Sequence, residues 1–205
     1  PELLKLCLKS LIYGHRETNL EFSKDSKLGW EIIVVDSTIS RKARDLIEDL
    51  NSEEVEPRGT FRGSTSKIGY LPFEENLGYA RGVNIGIQNS NGKYVLILNP
   101  DVIITDGAIE KMADYMEKHP DIGMLGPQVL NFNGTHQRTF FSYYKPATII
   151  ARRSFLGHFG PFRGALRDFL MADADSSKIQ TPDWLMGSAI MVRREAVEKI
   201  GGMDE

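Results

Sequence analysis

Two carboxylates fall where a chain can use them. Asp36 ends the aliphatic run Ile32-Ile-Val-Val35, and Asp101 follows Tyr94-Val-Leu-Ile-Leu98 across Asn99-Pro100. Aliphatic runs without alternation predict strands buried on both faces. Pro100 cannot donate to a strand ladder and keeps Asn99 extended. A carboxylate just past the end of such a strand lies where open α/β sheets hold their ligands. The plainer alternatives are that Asp101 only ends a strand and that Asp36 caps a helix or an Asx-turn. Between them, Arg81, Asn84 and Gln88 form a polar stripe at helical spacing. Other chemistries find little support. His15, His119, His136 and His158 lack metal-ligand spacing. Ser188 lacks the Gly-x-Ser-x-Gly setting of a hydrolase. No Gly-x-Gly-x-x-Gly follows the first strand, which argues against a dinucleotide dehydrogenase.

The elements that would hold these groups follow from periodicity. Pro1 to Ile12 predicts an amphipathic helix. Trp30 to Val35 predicts a strand, and Arg41 to Leu50 a helix with Ser40 as N-cap. Asn51 to Lys67 predicts a loop, and Lys67 to Phe73 a further strand. A helix led by Asn76 and Gly78 follows, with Ala80, Val83 and Ile87 on its apolar face. Gly82 and Gly86, one turn apart, would let another backbone approach. Asn91-Gly92 marks a turn before the strand at Tyr94–Leu98. Asp106 to Lys118 predicts a helix with Ile109, Met112 and Met116 inward, stopped at His119-Pro120. Ile122 to Leu130 predicts a short strand region, and Asn131 to Gly134 a hairpin-like turn. Gln137 to Asp175 has no clear period, and its length without one suggests a mobile acceptor-side region. Trp184 to Val192 predicts one strand, and Arg193 to Ile200 a short helix. The α-β alternation through residue 130 predicts a mostly parallel sheet with helices on both faces.

Composition bounds the class. A chain of 205 residues with 41% hydrophobic content suits one globular domain. Net charge of −3 leaves no basic footprint for nucleic acid. The single cysteine, Cys7, cannot pair within the chain and predicts a reducing compartment, hence a cytoplasmic location. No apolar run approaches the roughly 20 residues of a membrane helix.

Three segments in order resemble the family 2 glycosyltransferases of the GT-A fold, on the rhamnosyltransferase-like branch. They are Glu31-Ile-Ile-Val-Val-Asp36, the stretch Glu74 to Asp101 ending in Asn-Pro-Asp, and Asp183-Trp-Leu-Met-Gly-Ser-Ala-Ile-Met-Val-Arg-Arg194 with Gly201-Gly-Met-Asp-Glu205. The resemblance implies an inverting transfer of sugar from an NDP-sugar, dTDP-rhamnose or a UDP-hexose, to a glycan or lipid-linked acceptor. Polysaccharide biosynthesis at the cytoplasmic face of a membrane, with peripheral contact, would suit that role. It implies Mg²⁺ or Mn²⁺ on the diphosphate, with Asp101 as metal ligand. Asn99 stands where relatives carry the first Asp of an Asp-x-Asp-like pair. By the same resemblance Asp36 meets the base or ribose, and Asn76, Gly78, Arg81, Asn84 and Asn99 line the nucleotide, unless Gly78 is structural and only permits the turn. Arg81 is either near a phosphate or a solvated surface residue. Trp184 and Gly187 lie beneath donor sugar and acceptor, or Trp184 is ordinary core. Asp204 and Glu205 open the acceptor-side segment and are the candidate catalytic carboxylates, the usual base of similar proteins following later.

The resemblance divides the chain into a nucleotide-sugar part, 1–130, and an acceptor-side part, 131–205. It also implies a fragment: relatives carry a strand before the first helix and a Glu-Asp pair after the last residues, so this chain alone is expected not to turn over. A nucleotidyltransferase of similar architecture and a non-catalytic nucleotide-sugar-binding module are the competing functions.

Overall fold

The computed structural model describes residues 2–13, 30–52, 68–105, 107–155, 160–175 and 177–205. Pro1, Asp106, His15, His158 and most of the expected loop after Asn51 lie outside them. The chain forms two compact units, Pro1–Leu125 with Met191–Glu205, and Gly126–Ile190. The closing residues therefore pack with the first unit.

In the first unit, α1 spans Glu2–Tyr13, β1 Ile33–Asp36, α2 Arg41–Ser52, β2 Gly69–Pro72, α3 Gly78–Gln88, β3 Tyr94–Leu98 and α4 Ala108–Lys118. Leu4, Leu8, Leu11 and Ile12 recur at helical spacing on α1 and meet Ile47 and Leu50 of α2, with Ile68 and Val34. β1 and β2 pair in parallel, Ile33 opposite Gly69 and Asp36 opposite Pro72. Ser40 caps α2 as expected, its Oγ accepting from the Ala43 amide at 3.3 Å. The Asn51 amide brackets the return, donating to the Ile68 carbonyl and accepting its N–H.

A second core gathers Met112, Ala113 and Met116 of α4 against Met191, Tyr94 and Leu96. β4, Met124–Leu125, pairs antiparallel with β9, Ala189–Arg193, in the strand order β3-β9-β4. The α/β class is as expected, with antiparallel pairing beside the parallel pair. β3 has the expected bounds but is half-buried at all five residues, not fully buried. It ends its strand order among the described residues, whereas β9 sits in the middle and is buried at all five. The expected strand Trp184 to Val192 is two strands, β8 (Trp184–Leu185) and β9, broken by a turn at Gly187-Ser188. Helix α7, Arg194–Ile200, follows β9 directly.

The second unit holds the hairpin β5 (Val129–Leu130) and β6 (His136–Gln137), closed by the expected turn at Asn131–Gly134. The stretch expected to be irregular contains β7 (Phe140–Phe141), α5 (Pro146–Arg153) and α6 (Gly160–Phe169). It has a core of its own, in which Phe141, Thr148, Ala151 and Phe169 are buried. Its period was hidden because each element is short and small or polar residues such as Thr148 and Ala151 take inward positions.

Candidate functional site

Asp36 closes β1, and its own chain surrounds it. Oδ1 accepts from the Thr38 amide at 3.0 Å and the Thr38 hydroxyl at 2.9 Å. Oδ2 accepts from the Ser40 amide at 2.9 Å and the Tyr70 hydroxyl at 2.7 Å. A carboxylate offers roughly four lone-pair sites, so these donors occupy its inner coordination. Partial burial alone would raise the Asp36 carboxyl, but the bonds from Ser40, Tyr70 and Thr38 outweigh it and hold the group below the usual carboxylate range. The Asx-turn reading of Asp36 is thus realised in the structure. Tyr70, which sequence reasoning missed, comes to Asp36 only through the parallel register of β1 and β2.

Asp101 stands exposed in the turn after β3. The turn closes with the Val102 amide donating to the Asn99 carbonyl at 3.2 Å. Helix α1 braces both sides of it. The Cys7 thiol approaches the same Asn99 carbonyl at 3.8 Å, and the Ser10 hydroxyl accepts from the Ile104 amide at 2.9 Å. Burial, with the Asp101 charge second, pushes the Cys7 thiol up to about 11. Among the described residues no group of three or more His, Cys, Asp or Glu side chains is placed to hold a metal ion. A lone exposed carboxylate fits a hard cation carried chiefly by substrate phosphate oxygens, not one caged by protein.

The start of α3 carries the Asn76 amide, whose Oδ1 accepts from the Gly78 N–H at 3.0 Å. Gly78 has a φ of 71°, which favours glycine. Arg81 pairs with Glu75 at 2.9 Å, both side chains well exposed, a contact worth little to stability. The expected close backbone approach at the helix glycines is absent among the described residues. A Cβ at Gly82 would meet nothing within 4 Å, and one at Gly86 would touch the Val35 side chain at an ordinary 3.6 Å.

Asn84 reaches the other end of the chain. Its Nδ2 donates to the Met203 carbonyl and to Glu205 Oε1, both at 2.9 Å, and its Oδ1 accepts from the Met203 amide at 2.9 Å. Glu205 is thereby placed beside α3, with Asp204 exposed next to it. The adjoining Arg193 and Arg194, quoted above only as part of a motif, carry much of this framework. Arg193, 9% exposed, donates to the carbonyls of Met116, His119 and Ile122 and to the Tyr94 hydroxyl. It places a cation at the C-terminus of α4, where the helix dipole favours one. Arg194 donates to the Gly92 and Ile87 carbonyls and the Ser90 hydroxyl, closing the end of α3. A pair of arginines after a buried strand was the available signal, but their targets are set by tertiary placement.

Trp184 and Gly187 belong to the second unit. Trp184 stacks on Phe141 at 4.5 Å, and its Nε1 donates to the Ser142 carbonyl at 3.1 Å. It is a member of that unit's aromatic core, with Phe169 and Tyr144. Arg152 lies over the rings of Tyr144 and Phe169, and Arg167 pairs with Asp173.

Comparisons with known proteins agree on one relationship. Over 148 residues the chain is 28% identical to an N-acetylglucosaminyl-diphospho-decaprenol L-rhamnosyltransferase of Mycobacterium tuberculosis, covering 66% of this chain and 47% of that one. It is 26% identical over 133 residues to an amylovoran biosynthesis glycosyltransferase of Erwinia amylovora, covering 65% and 42%. The chain thus spans about half the length of these curated relatives. Among solved structures it resembles a mannosyltransferase from Pyrobaculum calidifontis in complex with GDP-Man and Mn²⁺. That likeness has a TM-score of 0.51 at 16% identity, over 85% of this chain and 38% of that one, and it shows the GT-A fold. The family model described as glycosyl transferase family 2 matches residues 1–201, so the chain belongs to that family.

Proposed function

We propose that this chain carries the donor-binding part of a glycosyltransferase that moves a sugar from an NDP-sugar to a hydroxyl of a glycan or lipid-linked acceptor, with inversion. The observation that carries the reading is the exposed Asp101 in the turn after β3, a turn flanked by the Asn99 carbonyl and the Ile104 amide that Cys7 and Ser10 of α1 engage. An open carboxylate on a turn so braced is suited to meet a diphosphate through a divalent cation. Mg²⁺ or Mn²⁺, when bound, neutralises charge gathering on the leaving diphosphate. Asp101 would hold it, with phosphate oxygens and water as the other ligands.

Asp36 meets the ribose or base, the exposed Thr38 hydroxyl giving way to the ligand. Asn76 and Gly78 shape the start of α3, Asn99 supports the Asp101 turn, and Arg81 exchanges Glu75 for a phosphate oxygen. Trp184 and Gly187 serve the donor-sugar and acceptor side. The donor is dTDP-rhamnose or a UDP-hexose; the rhamnosyltransferase among the relatives supports a rhamnosyl donor, and the amylovoran biosynthesis glycosyltransferase a role in polysaccharide biosynthesis. A lipid-linked acceptor would bring the protein to the cytoplasmic face of a membrane. No helix among the described residues is long and apolar enough to cross one.

The test is thermal stabilisation by UDP, dTDP and GDP with and without Mn²⁺. A ligand at 100 times its Kd adds about 2.7 kcal/mol. Asp101→Ala is expected to remove the Mn²⁺-dependent part of the shift. An Asp101→Ala protein that keeps the full metal-dependent shift would remove Asp101 from the site.

A further inference from the structure

We infer that Asn84 is a positioning residue which holds the Glu205 carboxylate as a recognition group for the hydroxyls of the donor sugar. The inference rests on the donor-binding reading above and assigns work within that site. Three observations carry it.

The first is the use of the Asn84 amide. Both hydrogens of Nδ2 and one face of Oδ1 are committed to residues 119 and 121 positions away, all at 2.9 Å. A side-chain amide has two donors and an acceptor oxygen, so no spare donor remains for a nucleotide. Asn84 is therefore turned toward the protein, and what it offers a ligand is the group it holds.

The second is the backbone that delivers Glu205. Helix α7 ends at Gly201 and Gly202, with φ of 91° and 89°, and both amides return to the Val197 carbonyl. A Cβ on Gly202 would lie 2.7 Å from Asn84 Oδ1. The chain is bent there so that its backbone can touch the Asn84 amide, and only glycine permits the approach.

The third is the chemistry left over. Asn84 Nδ2 engages Oε1 of Glu205. Among the described residues no cation pairs with Glu205, and Oε2 keeps its acceptor capacity. A carboxylate that is already oriented costs little further ordering on binding and makes strong hydrogen bonds to N–H and O–H donors. Sugar hydroxyls are such donors, and α3 carries Asn84 on the same stripe as Arg81.

The experiment measures affinity for three pairs, UDP and UDP-glucose, GDP and GDP-mannose, dTDP and dTDP-rhamnose, each with Mn²⁺, in the intact protein. Glu205→Gln, Asn84→Ala and the double variant are compared with the parent. For the pair that the parent prefers, Glu205→Gln is expected to leave NDP affinity within about twofold and to weaken the NDP-sugar about tenfold, the scale of one hydrogen bond to a charged group. Asn84→Ala should weaken the NDP-sugar similarly and expose the Met203 amide to hydrogen exchange. Because Asn84 acts through Glu205, the double variant should lose no more than Glu205→Gln alone. Equal weakening of NDP and NDP-sugar, or losses that multiply in the double variant, would overturn the inference. So would an unchanged ratio in Glu205→Gln, which keeps the fold intact by its near-identical size. A parent that binds none of the six nucleotides instead defeats the donor-binding reading itself.

Discussion

The Tyr70 hydroxyl donates to Asp36 Oδ2 across 2.7 Å, joining neighbouring parallel strands. The bond lowers the Asp36 carboxyl and, after burial, is a cause of the raised Tyr70 phenol. A depressed carboxylate stabilises the fold above its unfolded value and loses that contribution as pH falls through its folded value. Tyr70→Phe is expected to cost about 1 kcal/mol at pH 7. The gap from the parent should hold across neutral pH and close below the ordinary value of 3.8. Urea unfolding at a series of pH values measures it; a gap that persists in full at the acid end would detach the effect from Asp36.

Cys7 has the opposite sign. Its thiol is pushed up to about 11 from 9.0, so the native state keeps a proton that the unfolded chain releases. Its contribution is complete below pH 9.0 and fades as pH rises toward 11. Iodoacetamide at pH 8 is expected to label native protein slowly and urea-unfolded protein fast, because the thiolate is the nucleophile. Equal rates in both states would place Cys7 outside the α1 packing.

Arg193 serves four oxygens from a buried position. Arg193→Met removes the donors and strands the last carbonyls of α4. A loss of about 3 kcal/mol or more is expected, since buried unsatisfied groups are costly. Arg193→Lys keeps the cation but not the fork and should recover only part of it. Chemical denaturation of both variants checks the order; a Lys variant as stable as the parent would show that charge alone suffices.

Gly201 and Gly202 share a positive φ but differ in surroundings. A Cβ at Gly201 meets nothing within 4 Å, whereas one at Gly202 meets the Asn84 amide. Gly201→Ala should cost about 1 kcal/mol from backbone strain alone. Gly202→Ala should cost more and should also release the Met203 amide to exchange. Equal costs would mean that the Asn84 contact adds nothing to the turn.

The sequence by itself determined what is local. The bounds of β3, the inward Ile109, Met112 and Met116 of α4, the Ser40 cap and the Asn131–Gly134 turn all depend on neighbours within a few residues. Their signals are periodicity and capping chemistry, which act over one or two turns of chain. Only the tertiary structure decided which strand is central, because burial of β9 over β3 depends on strand order and not on composition. Trp184 to Val192 read as one strand because Gly187-Ser188 is too short an interruption to show in a hydrophobic pattern. The α5–α6 segment was likewise obscured by small inward residues. Above all, the partners of Asp36, Asn84, Arg193 and Arg194 were illegible. A polar side chain at a given spacing advertises its donors and acceptors but not their targets. Tyr70 meets Asp36 through strand register, and Met203 meets Asn84 from 119 residues away through two left-handed glycines. Those choices belong to the packed chain, where a buried polar group must find a partner and only the folded geometry says which one is near.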